Sequence, residues 1–279
     1  MGRIHIMISP AKKMNCLEEY PVEPGKPVFL ERTKRLMRYL QSLDGETIQR
    51  IWKCNDKIAD LNRQRLKNMD PERFVTPAVL AYEGLQYQSM APAVFEDRAL
   101  DYIGDHLYIL SGFYGILKAF DGVVPYRLEM QARITMEDEG GIVTSLYDYW
   151  GDSLYRVLAD GADVIVNLAS EEYGKAVRPW ALSQGKPGAG KTGGEGIRLV
   201  DCVFGQLEEA DGKERVRVKA TEAKMARGAM VRYMAQRRIE DVEELKEFDQ
   251  MGYGYREELS KEDRLVFVKP GKEKNPLDK

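Results

Sequence analysis

Lysine and arginine side chains at four separated positions have the chemistry to bind phosphate groups. Lys12 follows a short apolar segment and a Ser-Pro turn, and Arg127 lies in the run Pro-Tyr-Arg-Leu-Glu. Lys224 and Arg227 are three residues apart, a spacing that places both on one side of a helix. Gly228 follows them and would let a phosphate backbone come close. These positions are therefore candidates for contacts with a nucleic-acid backbone or another phosphorylated ligand.

Basic residues also mark a pair of helices predicted between residues 45 and 69. The two helical patterns, ETIQRIWKC and KIADLNRQRLKNM, meet in a tight turn around Asn55-Asp56. Turn amides with basic flanks can hold a DNA backbone without reading its sequence, as helix-hairpin-helix modules do. The candidate phosphate contacts in this pair are Lys57, Arg63 and Arg65.

The position of such a hairpin is left open by the sequence. The turn at residues 55–58 lacks the glycines that usually form it. The segment 107–121 contains Gly112 and Gly115 and is therefore a rival position for the hairpin.

Small polar residues follow apolar segments of strand length and indicate a second kind of site. The carboxyl ends of neighbouring parallel strands gather polar groups for ligands at one edge of a sheet. Ser111-Gly112 is such an exit, where small residues let the backbone turn and leave N–H groups free. An alternative function is therefore an enzyme or sensor that acts on a small phosphorylated or nucleobase ligand. The residues predicted to line that pocket are Ser9, Ser111, Arg127, Glu129, Asn167, Ser170 and Lys224.

The glycine-rich segment 185–196 contains a match to the phosphate-loop pattern G-x-x-x-x-G-K-[ST]. A working phosphate loop needs a buried strand before it and a helix directly after its Lys-Thr pair. Here residues 178–184 are not a hydrophobic strand, and Gly-Gly-Glu-Gly at 193–196 cannot begin a stable helix. The composition instead predicts a flexible surface loop.

Composition excludes several classes of protein. The 42 Lys+Arg against 45 Asp+Glu argue against a protein that coats nucleic acid with its whole surface, although a local basic patch is compatible with them. Two histidines and three dispersed cysteines indicate neither a metal centre nor a disulfide framework, so we expect no metal and no cofactor. Unpaired cysteines fit a reducing cytosol. No signal peptide is apparent, and no run reaches the roughly 20 apolar residues of a membrane span.

Strands and helices alternate irregularly, without an internal repeat, which predicts one mixed α/β domain over residues 1–269. Residues 270–279 form a charged tail that we expect to fray. Residues 125–129 read as a half-buried, aromatic-rich strand. Short apolar runs predict further strands at 3–8, 78–82, 107–110, 163–169, 197–204, 216–219 and 265–268. Besides the pair at 45–69, helical spacing predicts helices at 29–43, 92–104, 145–159 and 221–238.

Taken together and in this order, seven blocks of the sequence resemble the YaaA family of bacterial peroxide-stress proteins. The similarity extends over residues 4–269, almost the whole chain. Residues 118–121, Lys-Ala-Phe-Asp, depart from the Arg-Pro-Leu-Asp of the family. The blocks that carry the resemblance are ISPAK at 8–12, NDKIA at 55–59, LSGFYGIL at 110–117, PYRLEM at 125–130, YWGD at 149–152, NLASEEY at 167–173 and AKMARG at 223–228.

The resemblance implies a single-domain mixed α/β (α+β) protein of unusual topology, the cantaloupe fold, with a helix-hairpin-helix element. It also implies a cytoplasmic protein of the hydrogen peroxide response that binds double-stranded or junction DNA in a basic cleft and limits damage from free iron. The family blocks assign DNA contact to Lys12, Lys57, Arg127, Lys224 and Arg227, and the charge of the helix pair adds Arg63 and Arg65. We expect no membrane partner.

Overall fold

The computed structural model describes residues 3–73, 75–138, 140–184, 197–210 and 213–270. Its largest element is an eight-stranded sheet, and three smaller two-stranded sheets accompany it. The strands are β1 Ile4–Ile8, β2 Lys13–Met14, β3 Thr76–Pro77, β4 Tyr82–Glu83, β5 Leu107–Ser111, β6 Gly115–Lys118, β7 Gly122–Val123, β8 Arg133–Asp138, β9 Gly141–Ser145, β10 Val164–Leu168, β11 Arg198–Ala210, β12 Lys213–Arg217, β13 Gly254–Tyr255 and β14 Arg264–Lys269.

Helices contribute many of the other buried core residues. Short 3₁₀ helices occur at Pro92–Val94, Val242–Glu247, Gln250–Gly252 and Glu257–Leu259. The α-helices are α1 Leu30–Ser42, α2 Gly45–Trp52, α3 Asp56–Lys67, α4 Ala78–Ala81, α5 Leu85–Met90, α6 Asp97–His106, α7 Leu146–Trp150, α8 Ser153–Ala159, α9 Glu171–Gly174, α10 Arg178–Gln184 and α11 Ala220–Arg237. In the described residues, no helix has the length and apolar character needed to cross a membrane.

The order of strands in the main sheet is of the kind that forms a crevice at the carboxyl ends of the strands. The order is β13-β14-β11-β10-β1-β5-β6, with the eighth strand, β12, paired to β11 outside this row, and the five strands from β14 to β5 are parallel. β1 is buried along its whole length, and its Ile6 lies between Val166 of β10 and Leu107 of β5. The chain passes from β1 to β5 on one side and to β10 on the other. In open α/β sheets, ligands bind where the strand order reverses in this way, outside the carboxyl ends of the strands.

The sequence prediction of a mixed α/β protein is confirmed, and several local predictions are wrong. Residues 78–81 form the helical turn α4 and not a strand, because a short apolar run does not distinguish a buried strand from a buried helix. Residues 125–129 form no ladder with another strand. Pro125 lacks the N–H that a ladder needs. The predicted helix 145–159 is broken between α7 and α8 at Gly151, whose φ is 52°.

The rival position for the helical hairpin is excluded by the fold. Residues 107–118 form the antiparallel strands β5 and β6, so the only one of the two candidate segments that is helical is 45–69. There α2 and α3 are joined by residues 53–55. Lys53 takes the left-handed conformation with a φ of 44°, and the Asn55 side chain caps α3 by accepting a hydrogen bond from Ile58 N. The turn is therefore made without glycine.

The glycine-rich segment and most of the charged tail lie outside the described residues, which end at 270. The flanks of the glycine-rich segment are nevertheless informative. Helix α10 precedes it and strand β11 follows it. A phosphate loop needs the opposite order, strand before and helix after, so these flanks agree with rejecting that motif.

Candidate functional site

A pocket of about 340 Å³ lies at the carboxyl ends of β1 and β10, and we call it the carboxyl-end pocket. It brings together segments that are far apart in the chain. Its lining comes from residues 9–13, 83–87 and 126–129, from Ser170, Glu172 and Tyr173, and from Lys224 and Arg227 of α11. Of the predicted site residues, Lys12, Arg127, Lys224, Arg227, Ser9, Glu129 and Ser170 therefore converge on one site.

Two serines tie together the ends of β1 and β10 at the base of this pocket. Ser9 Oγ accepts a hydrogen bond from Ser170 N at 2.8 Å and donates one to Ser170 Oγ at 3.2 Å. The hydroxyl of Tyr87 donates to the carbonyl of Ser9 at 2.9 Å. The polar strand exits predicted from the sequence thus fix the shape of the pocket as well as lining it.

Ser111 lies behind the pocket wall and does not line the pocket. Its Oγ accepts hydrogen bonds from Phe113 N at 3.2 Å and Tyr114 N at 2.9 Å, so the expectation that Ser111-Gly112 leaves free N–H groups is wrong. Ser111 Oγ also shares a 2.6 Å hydrogen bond with the hydroxyl of Tyr126, which shares another of 2.8 Å with Tyr82. Burial raises the pKa of Tyr126 to about 12. Its phenol therefore stays protonated at neutral pH.

Gly112 lets the segment that carries Arg127 and Glu129 lie close to the end of β5. A Cβ at position 112 would be 2.6 Å from the carbonyl oxygen of Leu128 and 2.9 Å from the carbonyl carbon of Glu129. Both distances are shorter than carbon atoms tolerate. Gly112 is therefore required by this close backbone approach.

Glu129 orients two cationic side chains of the pocket. Its Oε1 lies 3.0 Å from Arg127 Nη2 and 3.3 Å from Lys12 Nζ. The Arg127 side chain is only 10 % exposed, whereas that of Lys12 is 66 % exposed. Arg127 Nη2 also donates to the carbonyl of Trp52, the last residue of α2, at 3.4 Å. Arg127 therefore connects the pocket to the helix pair at 45–69.

Helix α11 brings Lys224 and Arg227 over the pocket because Gly228 lets it pack directly against α5. A Cβ at position 228 would lie 1.9 Å from the carbonyl oxygen of Gln86. Gly228 is therefore buried between helices, and the expectation that it admits a phosphate backbone is wrong. Lys224 is exposed, and Arg227 is half-buried with an Nε that has no hydrogen-bond partner. Burial lowers the pKa of the Arg227 guanidinium, which still stays charged at neutral pH.

Glu172 is another carboxylate of the pocket and is half-buried. Its Oε1 accepts a hydrogen bond from Gln131 N at 3.2 Å. Burial raises the pKa of Glu172, and the negative charge of Glu129 raises it further. A carboxyl group in this environment can exchange a proton with a ligand more readily than a solvated one. The structure describes no group of three or more His, Cys, Asp or Glu side chains arranged to hold a metal ion.

Asn167 and the helix-pair residues do not line the pocket. Asn167 Nδ2 donates to Asp201 Oδ1 of β11 at 2.6 Å, and its Oδ1 accepts from Ala169 N at 2.9 Å, so it links the neighbouring strands β10 and β11. Lys57, Arg63 and Arg65 lie on α3, and Arg63 is paired with Asp60. The prediction that all seven pocket candidates converge is therefore wrong for Ser111 and Asn167.

Several residues that line the pocket were not predicted from the sequence. Glu83, Gly84, Leu85, Gln86 and Tyr87 belong to β4, to α5 and to the link between them. The sequence prediction placed the end of a strand here. Three tertiary contacts bring this segment to the site: the ladder of β4 with β2, the hydrogen bond from Tyr87 to Ser9, and the packing of α5 against α11.

Comparisons with known proteins confirm the family resemblance that the seven sequence blocks indicated. A family model described as Peroxide stress protein YaaA matches residues 4–259. A UPF0246 protein of Desulfitobacterium hafniense is 48 % identical over 269 residues, which cover 96 % of this chain and 99 % of that protein. A UPF0246 protein of Lachnoclostridium phytofermentans is 47 % identical, with 95 % and 96 % covered. One of Agathobacter rectalis is 44 % identical, with 94 % and 97 % covered. The chain therefore belongs to the YaaA (UPF0246) family of peroxide-stress proteins.

Proposed function

We propose that this chain is a cytoplasmic DNA-binding protein of the hydrogen peroxide response, and that it holds DNA phosphates at the mouth of the carboxyl-end pocket. One observation carries the proposal. Lys12, Arg127, Lys224 and Arg227 come from three distant parts of the chain and line the same pocket. Cationic side chains that served only solubility would not need to lie together at one site.

The local charge of the pocket supports an anionic ligand although the whole chain has a net charge of −3. Five cationic side chains and three glutamates line the pocket, so positive charge is in excess there. An electrostatic field depends on where charges lie and not only on their sum. Lys12 and Lys224 are exposed at the mouth, where phosphates of a bulky polymer can reach them.

The helix pair provides a second contact surface for the same backbone. Arg127 donates to the carbonyl at the end of α2, and α3 carries Lys57, Arg63 and Arg65. DNA that contacts both surfaces would be recognised by its phosphates and not by its sequence. Double-stranded or junction DNA that is bound in this way would be shielded from the radicals that free iron generates from peroxide.

The test is the salt dependence of DNA binding. Each phosphate contact contributes about 0.9 to the slope of log K against log salt on duplex DNA. The double variant Lys12→Gln/Lys224→Gln removes two exposed charges, and we expect it to lower the slope by about 1.8. Arg98→Gln/Lys261→Gln removes two exposed charges elsewhere and serves as the matched control. An equal effect of both variants, or a slope unchanged by the first, would contradict the proposal.

A second candidate function is binding of a small phosphorylated or nucleobase ligand by an enzyme or sensor. The observation that favours it is the size of the pocket, because about 340 Å³ suits a small molecule and excludes a stacked duplex. Arg127 would hold the phosphate, and Glu172 would exchange a proton with the ligand. Isothermal titration with nucleoside monophosphates tests this candidate. Heat of binding that disappears in Arg127→Met supports it, and the absence of heat with the wild-type protein rejects it.

A further inference from the structure

We infer that the carboxyl-end pocket binds a single nucleotide unstacked from DNA, with its base inside and its phosphate at the mouth. This inference rests on the DNA binding proposed above. It adds to that proposal a structural preference, namely for DNA in which one nucleotide is already free of the stack.

The pocket is too small to hold a base pair within a duplex, so a base must leave the stack before it can enter. The pocket measures about 340 Å³, near the lower end of the roughly 300–1,000 Å³ range of small-molecule sites. It can hold a base with its sugar and cannot hold a base pair within a helix. Proteins that receive one base from DNA rotate it out of the stack into a cavity of this kind.

The wall chemistry suits a nucleobase. Tyr87, Tyr126 and Tyr173 line the pocket together with Leu128. The hydroxyl of Tyr87 is directed to the Ser9 carbonyl and that of Tyr126 to Ser111 and Tyr82. Because these hydroxyls are used within the protein and the two residues are only 4 % and 8 % exposed, each of the two tyrosines offers the pocket a small area of its ring. Together with Leu128 they form an apolar wall that would contact a base with little sequence preference.

The exposure of the cationic side chains decreases from the mouth of the pocket to its interior. Lys12 and Lys224 are exposed, and the Arg127 side chain is 10 % exposed. The Nε atoms of Arg127 and Arg227 are buried and have no hydrogen-bond partner. A buried donor without an acceptor costs free energy, and because these atoms are closed to solvent, a bound nucleotide would satisfy them only after the side chains shift. The gradient places the phosphate at the lysines and the sugar and base farther inside.

The connection to the helix pair favours a nucleotide within a strand over a free one. Arg127 joins the pocket to the end of α2 through the Trp52 carbonyl. The basic residues of α3 then lie on the element beyond that junction, where the phosphates flanking an unstacked nucleotide could reach them. A free mononucleotide has no flanking phosphates and would leave α3 unused.

The experiment compares three labelled DNA duplexes by fluorescence anisotropy at one salt concentration. They are fully paired, carry one unpaired nucleotide, or carry one unpaired abasic site. We expect the unpaired nucleotide to raise affinity about tenfold over the paired duplex and the abasic site to lose most of that gain. The abasic duplex separates base binding from preference for a flexible or bent backbone. Equal affinity for the unpaired nucleotide and the abasic site would overturn the inference.

A pocket-filling variant provides a second readout. Leu85 is 37 % exposed and lines the pocket, so Leu85→Trp would obstruct the mouth without disturbing the core. Leu17 is 39 % exposed and lies elsewhere, so Leu17→Trp is the matched control. With native circular dichroism in both variants, the preference for the unpaired nucleotide should vanish only in Leu85→Trp. If it survives there, the inference is wrong.

The outcomes separate this inference from the function on which it rests. Equal binding of all three duplexes with the expected salt slope would retain DNA binding and reject base insertion. No binding of any duplex would reject both. Competition by free nucleoside monophosphate at concentrations equal to those of the DNA would assign the pocket to a free nucleotide and overturn the DNA source.

Discussion

The carbonyl oxygen of Gln86 occupies the space where a side chain at position 228 would begin. The 1.9 Å that would separate this oxygen from a Cβ on Gly228 is far below a normal contact distance. Two helices can therefore meet backbone to backbone, and this contact holds Lys224 and Arg227 over the pocket formed by the strand ends. Gly228 acts through packing and has no need to touch a ligand.

Gly228→Ala should destabilise the protein by about 3 kcal/mol, at the upper end of the usual cost of overpacking, because a clash with backbone is relieved only by moving a helix. Urea unfolding monitored by circular dichroism measures the change in the free energy of unfolding. Gly254→Ala is the control, since a Cβ there meets nothing within 4 Å. A loss of less than 1 kcal/mol in Gly228→Ala would show that α11 shifts easily.

Glu129→Gln should lower the free energy of unfolding by about 2–3 kcal/mol. Glu129 is the carboxylate partner of Arg127, whose side chain is 10 % exposed, and breaking a fully buried pair costs about 3–5 kcal/mol. The remaining exposure and the amide oxygen reduce that cost. Glu258→Gln removes the partner of Arg256 on the surface, where solvent screening makes an ion pair contribute little to stability. Similar losses in both variants would contradict the role assigned to Glu129.

Because of Asp121, the free energy of unfolding should fall as the pH rises from about 4 to 6. Burial raises the pKa of Asp121 to about 6, above its value in the unfolded chain, so its contribution is fully present below pH 4 and is lost through pH 6. The shift corresponds to roughly 3 kcal/mol at most. Asp121→Asn should therefore gain stability relative to wild type over this interval.

Asp44 provides a control for the direction of this pH effect, because its pKa is shifted the opposite way. Hydrogen bonds from Thr47 lower the pKa of Asp44, so its contribution is present above the unfolded pKa and is lost as the pH falls. The difference curve for Asp44→Asn should run in the opposite direction from that for Asp121→Asn. Urea titrations at half-unit pH steps measure both curves. Parallel curves would show that neither group titrates as stated.

Ser111 and Tyr126 should be energetically coupled. Ser111→Ala leaves two buried N–H groups and the Tyr126 hydroxyl with fewer acceptors, which costs about 1–3 kcal/mol. Tyr126→Phe removes the other side of that hydrogen bond. A double-mutant cycle by chemical denaturation should give a coupling energy of about 1 kcal/mol. Ser42→Ala, at an exposed helix end, should change stability by less than about 0.5 kcal/mol.

Lys57→Gln/Arg65→Gln should lower the salt slope of duplex binding by about 1.8 if α3 contributes two phosphate contacts. Because these residues lie outside the pocket, their loss should weaken paired and unpaired DNA equally. Fluorescence anisotropy across a salt series measures both quantities. An unchanged slope would remove the helix pair from the DNA-binding surface and leave the pocket cations as the only proposed contacts.

The sequence by itself determined the family, the main parallel strands and most of the cations at the pocket. The apolar runs of β1, β5 and β10 are short-range patterns, and such runs remain apolar wherever they lie in a buried sheet. Lys12, Arg127, Lys224 and Arg227 were found because they stand in blocks with a recognisable local order.

Tertiary structure decided which polar residues face the ligand space. Ser9 and Ser111 are both serines at strand exits, and the hydroxyls of both form hydrogen bonds within the protein, yet only Ser9 lines the pocket. Likewise, nothing near Gly228 in the sequence indicates the Gln86 carbonyl that requires it. Local patterns encode propensity and periodicity, whereas burial and close packing also depend on distant segments, such as Ser170 for Ser9 and Gln86 for Gly228, which meet only when the chain has folded.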